Sequence, residues 1–399
     1  MPLEYLQSQY LELMAHLDIA ALASPQPVDQ ESNALLEYAK GHEHRCRYLL
    51  SGTFERCGIP IYDGEYGNFS HVMSSAMHSA LSRAEECELA NFDSEILLGL
   101  SPYSSFGAEV VRVDSGYLVL ISPVTFSFCF LYAILAIASM QAVAQLDPKI
   151  LDTGLSGLEE RLASDPESNN ALKSLSAIKL MFDEFAISET IKDPLALVAM
   201  SGFNKLHPIY LERVQATYEH FIVFLVLHEF AHVALGHMSS VNKVQRVIPE
   251  SETTYSVMHP LPKQEEEADN FALTALVGKD YQSEMLAIAA HLEKGETNHP
   301  ELNKLWSGHT AYGRYTSATL MLKSFDLMDF FNMRDAEAGI AHTDNCEINH
   351  SHPSGQHRFI HAYCSMKDFI SMPEGKEFSP KAVLYWSNFV TAHISYGVI

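Results

Sequence analysis

Basic residues are scarce in this chain. Its 399 residues carry 26 Lys and Arg against 50 Asp and Glu, a formal charge of -24. That balance works against binding a nucleic acid backbone or an anionic lipid surface. No C-x-x-C pair occurs; the cysteines are Cys46, Cys57, Cys87, Cys129, Cys346 and Cys364, irregularly spaced. The first residues contain no basic segment followed by an apolar run, so no secretory signal is read there. They read instead as an amphipathic helix with Leu3, Leu6, Tyr10 and Leu13 near one face. Free thiols in a reducing cytoplasm are therefore expected, not a disulfide framework. There is no internal repeat and no low-complexity tract.

Charge of either sign is missing altogether between Tyr117 and Leu146. The run Val124 to Met140 is apolar enough for a borderline transmembrane helix, which would make this an inner-membrane protein through 124–146. Its flanks are acidic or neutral and lack a Lys/Arg cluster. A buried helix of a large soluble, cytoplasmic domain has the same signature, and that is the expectation.

What the chain does have is His228-Glu-Phe-Ala-His232. Residues four apart lie one turn apart on one helix face. Two imidazoles so spaced can bind one tetrahedral zinc, with Glu229 beside them near a metal-bound water. The preceding Phe221–Leu227 is wholly apolar, so the helix should be buried. Burying two imidazoles and a carboxylate is costly unless something satisfies them. The plainer alternative is a core helix whose histidines pair with nearby carboxylates. Gly236 is the helix stop.

A third ligand is needed. Ala234 and Met238 stand where the long metzincin motif requires Gly and His. His237 is near but lies beyond Gly236, where a helix-end histidine is the ordinary reading. Downstream, Gln264–Leu276 reads as a second helix with an acidic first turn. Glu265 and Asp269 share one face of it, and Ala268 and Ala272 permit close helix approach. Glu267 competes with Glu265 because the Glu265–Glu267 triplet leaves the register open. A solvated acidic helix start is the other possibility.

H-E-x-x-H-x-x-x-G-H followed by E-x-x-A-D-x-x-A resembles the M48 group of zinc metallopeptidases, the HtpX, Ste24 and OMA type, and more loosely the gluzincins. A third element, His352-Pro-x-x-x-x-Arg358, matches a motif of that group. The resemblance covers about a third of the chain, from 220 to 365. It implies a zinc cofactor held by His228, His232 and Glu265, with Glu229 as general base. It implies that Asp269 accepts a hydrogen bond that orients a ligand histidine. His352 and Arg358 are candidates for stabilising the oxyanion, by motif position; Tyr255 and His259 are further candidates. The ordinary reading of His350, His352, His357 and His361 is a histidine-rich surface segment.

The expected fold is α+β and predominantly helical: a zincin-like metallopeptidase core with a small β-hairpin or sheet and an N-terminal helical extension. The division is 1–105 for the helical region and 106–399 for the metallopeptidase domain. Residues 1–100 read as largely helical. Glu109–Val113 and Tyr117–Ile121 read as a hairpin around Asp114-Ser-Gly116. A strand beside the zinc helix would suit a protease, because an extended peptide can add to a sheet edge. Helices are expected at 124–146, within 157–200, and at 209–236, 264–292, 308–333 and 380–395. Loops are expected at 239–263, with Pro249, Pro260 and Pro262, and at 337–356. The expected partner is a protein or peptide substrate, hydrolysed by an endopeptidase. The alternatives are a non-catalytic zinc-binding regulatory or interaction protein and a membrane-embedded quality-control protease.

Overall fold

The computed structural model of the protein describes residues 68–89, 95–101, 107–113, 116–144, 208–239, 242–247, 254–295, 300–337 and 353–366. The expected helices within 1–67, 157–200 and 380–395 lie outside the described residues. Over the described residues the chain is mostly helical with a small mixed sheet.

The element order is α1 (Asn68–Glu86), β1 (Glu95–Leu100), β2 (Ala108–Val113), β3 (Gly116–Ile121), α2 (Pro123–Ala144) and α3 (Pro208–Ala234). There follow a 3-10 turn (His237–Ser239), β4 (Asn242–Val247), β5 (Thr254–His259), α4 (Pro262–Val277), α5 (Tyr281–Glu293), α6 (Pro300–Ser307), α7 (Ala311–Glu337) and α8 (Gly355–Met366). The hairpin read from sequence is present as β2 and β3, antiparallel from Val113 opposite Gly116 to Ala108 opposite Ile121. β3 is the central strand, and its Leu118–Ile121 are buried in succession, as a strand covered on both faces requires.

Three expectations are corrected. Residues 95–100 form a strand, parallel to β3, where a helix was expected. The expected division at residue 105 therefore runs between strands of one sheet. Residues 239–263 hold a β-hairpin, with Asn242 opposite His259 and Val247 opposite Thr254, where a loop was expected. Pro249 falls between its strands, and Pro260 and Pro262 fall after it, so none removes a donor from the ladder. The expected helix 264–292 is two helices, broken at Gly278, whose φ of 90° no other residue adopts cheaply.

α3 is the axis of the fold. It packs against α1, α2, α4 and α7, and every residue from His220 to His232 is buried. Consecutive burial runs right round a helix, so protein covers α3 on all sides there. α2 crosses it through aromatic contacts: Tyr132 stacks on Phe221 at 5.7 Å, and Phe130 meets Tyr218 edge-on at 5.6 Å. Tyr132–Ile137 of α2 are likewise buried in succession. Among the described residues no helix is long and apolar enough to cross a membrane. Cys87, Cys129 and Cys364 are free thiols, and Cys129 is buried beside Met321.

Two arginines lock the far end of α4. Arg83 of α1 donates to the Leu276 carbonyl at 3.2 Å, and Arg314 of α7 donates to the Val277 carbonyl at 3.2 and 2.9 Å. Cations on the last carbonyls suit the negative end of the helix dipole. They fix the position of α4, which carries the carboxylates described below.

The start of α7 depends on a glycine. A Cβ at Gly313 would lie 2.0 Å from the Gly308 carbonyl oxygen, a backbone atom that cannot swing away. Gly313→Ala is expected to destabilise the fold by about 3 kcal/mol, as an overpacked core position does. Urea denaturation measures this; unchanged stability would contradict the packing described for α7.

Candidate metal centre

The last turns of α3 and the first turns of α4 meet where the two sequence motifs lie. His228, Glu229 and His232 are buried on α3, and Glu265 and Asp269 are buried on α4. α4 starts cleanly: Pro262 occupies its first turn, and Gln264 accepts from the Leu261 backbone N–H at 2.8 Å. That fixes the register left open by the glutamate triplet. Glu265 points into the interface, Glu266 is half-buried, and Glu267 is 45% exposed. Ala268 and Ala272 are fully buried, so small side chains do let the two helices approach.

Three donor groups converge. His228 Nε2 and His232 Nε2 are 3.2 Å apart. Glu265 Oε2 is 3.3 Å from His228 Nε2, and Glu265 Oε1 is 3.6 Å from His232 Nε2. One donor atom from each residue fits within 4.8 Å of the others, so the group could hold a metal ion. A tetrahedral ion with ligand bonds of about 2.0–2.1 Å sets its ligand atoms about 3.3 Å apart. The two Nε2 atoms, 3.2 Å apart, and His228 Nε2 with Glu265 Oε2, 3.3 Å apart, are close to that edge length. Two nitrogens and a carboxylate, all aimed at one point, are also the donor chemistry such an ion takes.

Each of the two histidines has a partner facing its other ring nitrogen. His228 Nδ1 lies 3.0 Å from Asp269 Oδ1. Asp269 in turn receives two hydrogen bonds from Arg358 of α8, Nε at 2.7 Å and Nη2 at 2.6 Å. The Arg358 guanidinium also lies over the Phe325 ring, 4.4 Å from its centre. On the other side, His232 Nδ1 faces His237 Nδ1 at 3.0 Å, and His237 Nε2 faces Glu267 Oε2 at 3.1 Å.

Burial and charge act in opposite directions here. Burial works to strip His228 of its proton, but hydrogen bonds to Asp269 and Glu265, and their charges, lift it to about 10. Burial, then the charge on His228, pushes His232 down to about 3. Burial works to keep Asp269 protonated, but the charge and hydrogen bonds of Arg358, then those of His228, hold its carboxyl below the usual range. Arg358 is buried too, yet Asp269, then Glu265 and Glu229, keep it firmly cationic. Glu229 is thus within electrostatic reach of the same cluster.

Of the residues singled out in the sequence, the structure brings together His228, Glu229, His232, Glu265, Asp269 and Arg358. Arg358 arrives on Asp269, with Nε and Nη2 bonded to that carboxylate. His350 and His352 lie outside the described residues. Tyr255 and His259 lie on β5, and their side chains lie outside the described residues. Glu267 is not in the converging group; it faces His237. His357 is exposed and pairs with Glu266 at 2.9 Å, as a surface histidine does. The part of His237 was missed. Its signal was the stop at Gly236, whose φ of 70° turns the chain back on the helix.

Compared with protein-family models, curated proteins and solved structures, the chain finds no match. The likeness to the M48 group rests on the motif residues alone.

Asp269 and Glu265 favour the protonated form of His228, so a proton would compete with a metal for this ring. Lower proton activity therefore favours the metal, and affinity should climb about tenfold per pH unit while one proton competes. Zinc titrated calorimetrically at pH 7, in buffers of different ionisation enthalpy, is expected to release about one proton. Release of none would contradict the protonated His228.

Proposed function

We propose that this chain is a zinc-dependent endopeptidase with a zincin-like, gluzincin-type core related to the M48 group. The observation that carries the reading is the convergence of donor atoms of His228, His232 and Glu265 within 4.8 Å of one another, with the buried carboxylate Glu229 one residue from His228. Three protein ligands leave a fourth position for water, the pattern of a catalytic site and not of a closed structural one. Zinc is the ion that two imidazoles and one carboxylate hold in this geometry in metallopeptidases.

Zinc bound there supplies Lewis acidity toward a peptide carbonyl and brings the pKa of a coordinated water toward neutrality. The rest is the work of the chain. Glu229 accepts the proton of the attacking water and delivers it to the leaving amine, which requires a carboxylate beside the ligands and not among them. Asp269 fixes the His228 ring so that Nε2 faces the site. Arg358 keeps Asp269 ionised and offsets part of the negative charge that Glu229, Glu265 and Asp269 bring into a buried interface. The α3–α4 packing excludes bulk water, which strengthens each of these interactions.

A non-catalytic zinc-binding regulatory protein would share the ligands and have no use for Glu229. A membrane-embedded protease would need a span, and among the described residues no helix is long and apolar enough to be one. The substrate class under this proposal is protein or peptide.

The test is Glu229→Gln, which keeps shape and removes the base. Wild type and variant, both loaded with zinc, are incubated with a proteome-derived peptide library, and new termini are read by mass spectrometry. Cleavage by wild type and a loss of about 100- to 10,000-fold in the variant are expected. Equal cleavage would contradict the role of Glu229. No cleavage by zinc-loaded wild type would favour the regulatory reading.

A further inference from the structure

We infer that His237 and Glu267 form a second positioning relay, which orients His232 toward the metal as Asp269 orients His228. The inference rests on the metal-centre reading above and deepens it. Neither residue is one of the ligands, the general base or the oxyanion candidates.

His232 Nε2 faces His228 Nε2 and Glu265, so its lone pair belongs to the metal. The neutral ring then carries its proton on Nδ1. The partner at that nitrogen is His237 Nδ1, 3.0 Å away and buried. Two ring nitrogens at that distance share one proton, so His237 Nδ1 accepts. The proton of His237 therefore sits on Nε2, and it donates to Glu267 Oε2 at 3.1 Å. One direction of donation satisfies every nitrogen: His232 to His237, His237 to Glu267. A carboxylate behind the chain raises the basicity of the ring in front of it, which strengthens a metal bond.

The local fold is built for this contact. Gly236 in the left-handed region ends α3, and the 3-10 turn that follows folds His237 back against His232. A Cβ at Gly236 would meet nothing within 4 Å, so glycine is there for its backbone conformation and not for space. Glu267 lies one helical turn after Lys263, whose ammonium is 3.5 Å from its other oxygen. The two relays differ in setting. The Asp269 relay ends on a buried guanidinium, whereas the His237 relay ends on a carboxylate 45% exposed. The second relay thus links a ligand to the surface of α4.

The test is zinc affinity, read by competition with a chromogenic chelator, so it does not depend on any substrate. His237→Leu is expected to bind zinc about 10- to 100-fold more weakly than wild type. His237→Gln, whose amide can both accept and donate, should recover most of that loss, which a role in filling space alone would not predict. Because His237 is buried, Glu267→Ala provides a variant at an exposed position that should leave folding intact. It is expected to weaken zinc in the same direction by a smaller factor. Wild-type affinity in both His237→Leu and Glu267→Ala would overturn the relay while leaving the metal centre standing. Equal weakening in His237→Leu and His237→Gln, with Glu267→Ala unchanged, would overturn it in favour of packing. Failure of wild type itself to bind zinc would overturn the metal centre, and the relay with it.

Discussion

Two imidazoles and three carboxylates are buried between α3 and α4, and burial of such groups is unfavourable unless each is compensated. An ionised carboxylate moved alone into a protein interior loses several kcal/mol of hydration. Arg358 is the buried cation that meets this demand, and it does so from a third helix, α8. His228, His232 and Glu265 converge there, and the group could hold a metal ion. The arrangement of the helices follows: α3 covered on all sides, α4 drawn close on alanines and locked at its end by Arg83 and Arg314.

The same demand explains why both histidines have partners behind them. An imidazole has two nitrogens, and a buried one wastes neither. If Nε2 serves a metal, Nδ1 must donate to something. For His228 the group facing Nδ1 at 3.0 Å, Asp269, is on the same helix that supplies Glu265. For His232 it lies just beyond the helix end, and Gly236 brings it round. The ordinary alternative, histidines paired with carboxylates in a core, is also a description of these contacts. What the metal reading adds is one common partner for His228, His232 and Glu265, whose donor atoms lie within 4.8 Å of one another.

Legibility in the sequence followed the range of the interaction. Spacing of four within α3 and within α4 was enough to place His228 with His232 and Glu265 with Asp269, because helix geometry is local. The hairpin β2–β3 was legible for the same reason, through its β-rich runs around a short turn. The partner of Asp269 was not, since Arg358 lies 89 residues away and its motif position suggested a different task. β1 was absorbed into a helical reading because a short apolar run such as Ile96–Leu98 fits either period. The hairpin β4–β5 is masked in the sequence by Pro249, Pro260 and Pro262, which mark a loop. Asn242-Lys-Val-Gln-Arg-Val247 and Thr254-Tyr-Ser-Val-Met-His259 themselves contain none. The break between α4 and α5 was marked by Gly278, which was read through.

The central claim is that His228, His232 and Glu265 hold one zinc. Elemental mass spectrometry on the purified protein tests it most directly, with wild type beside a Glu265→Ala variant of equal helix content. The account predicts about one zinc per wild-type chain and far less in the variant. Wild type handled without chelators and still free of metal, or a variant that keeps its zinc, would contradict it.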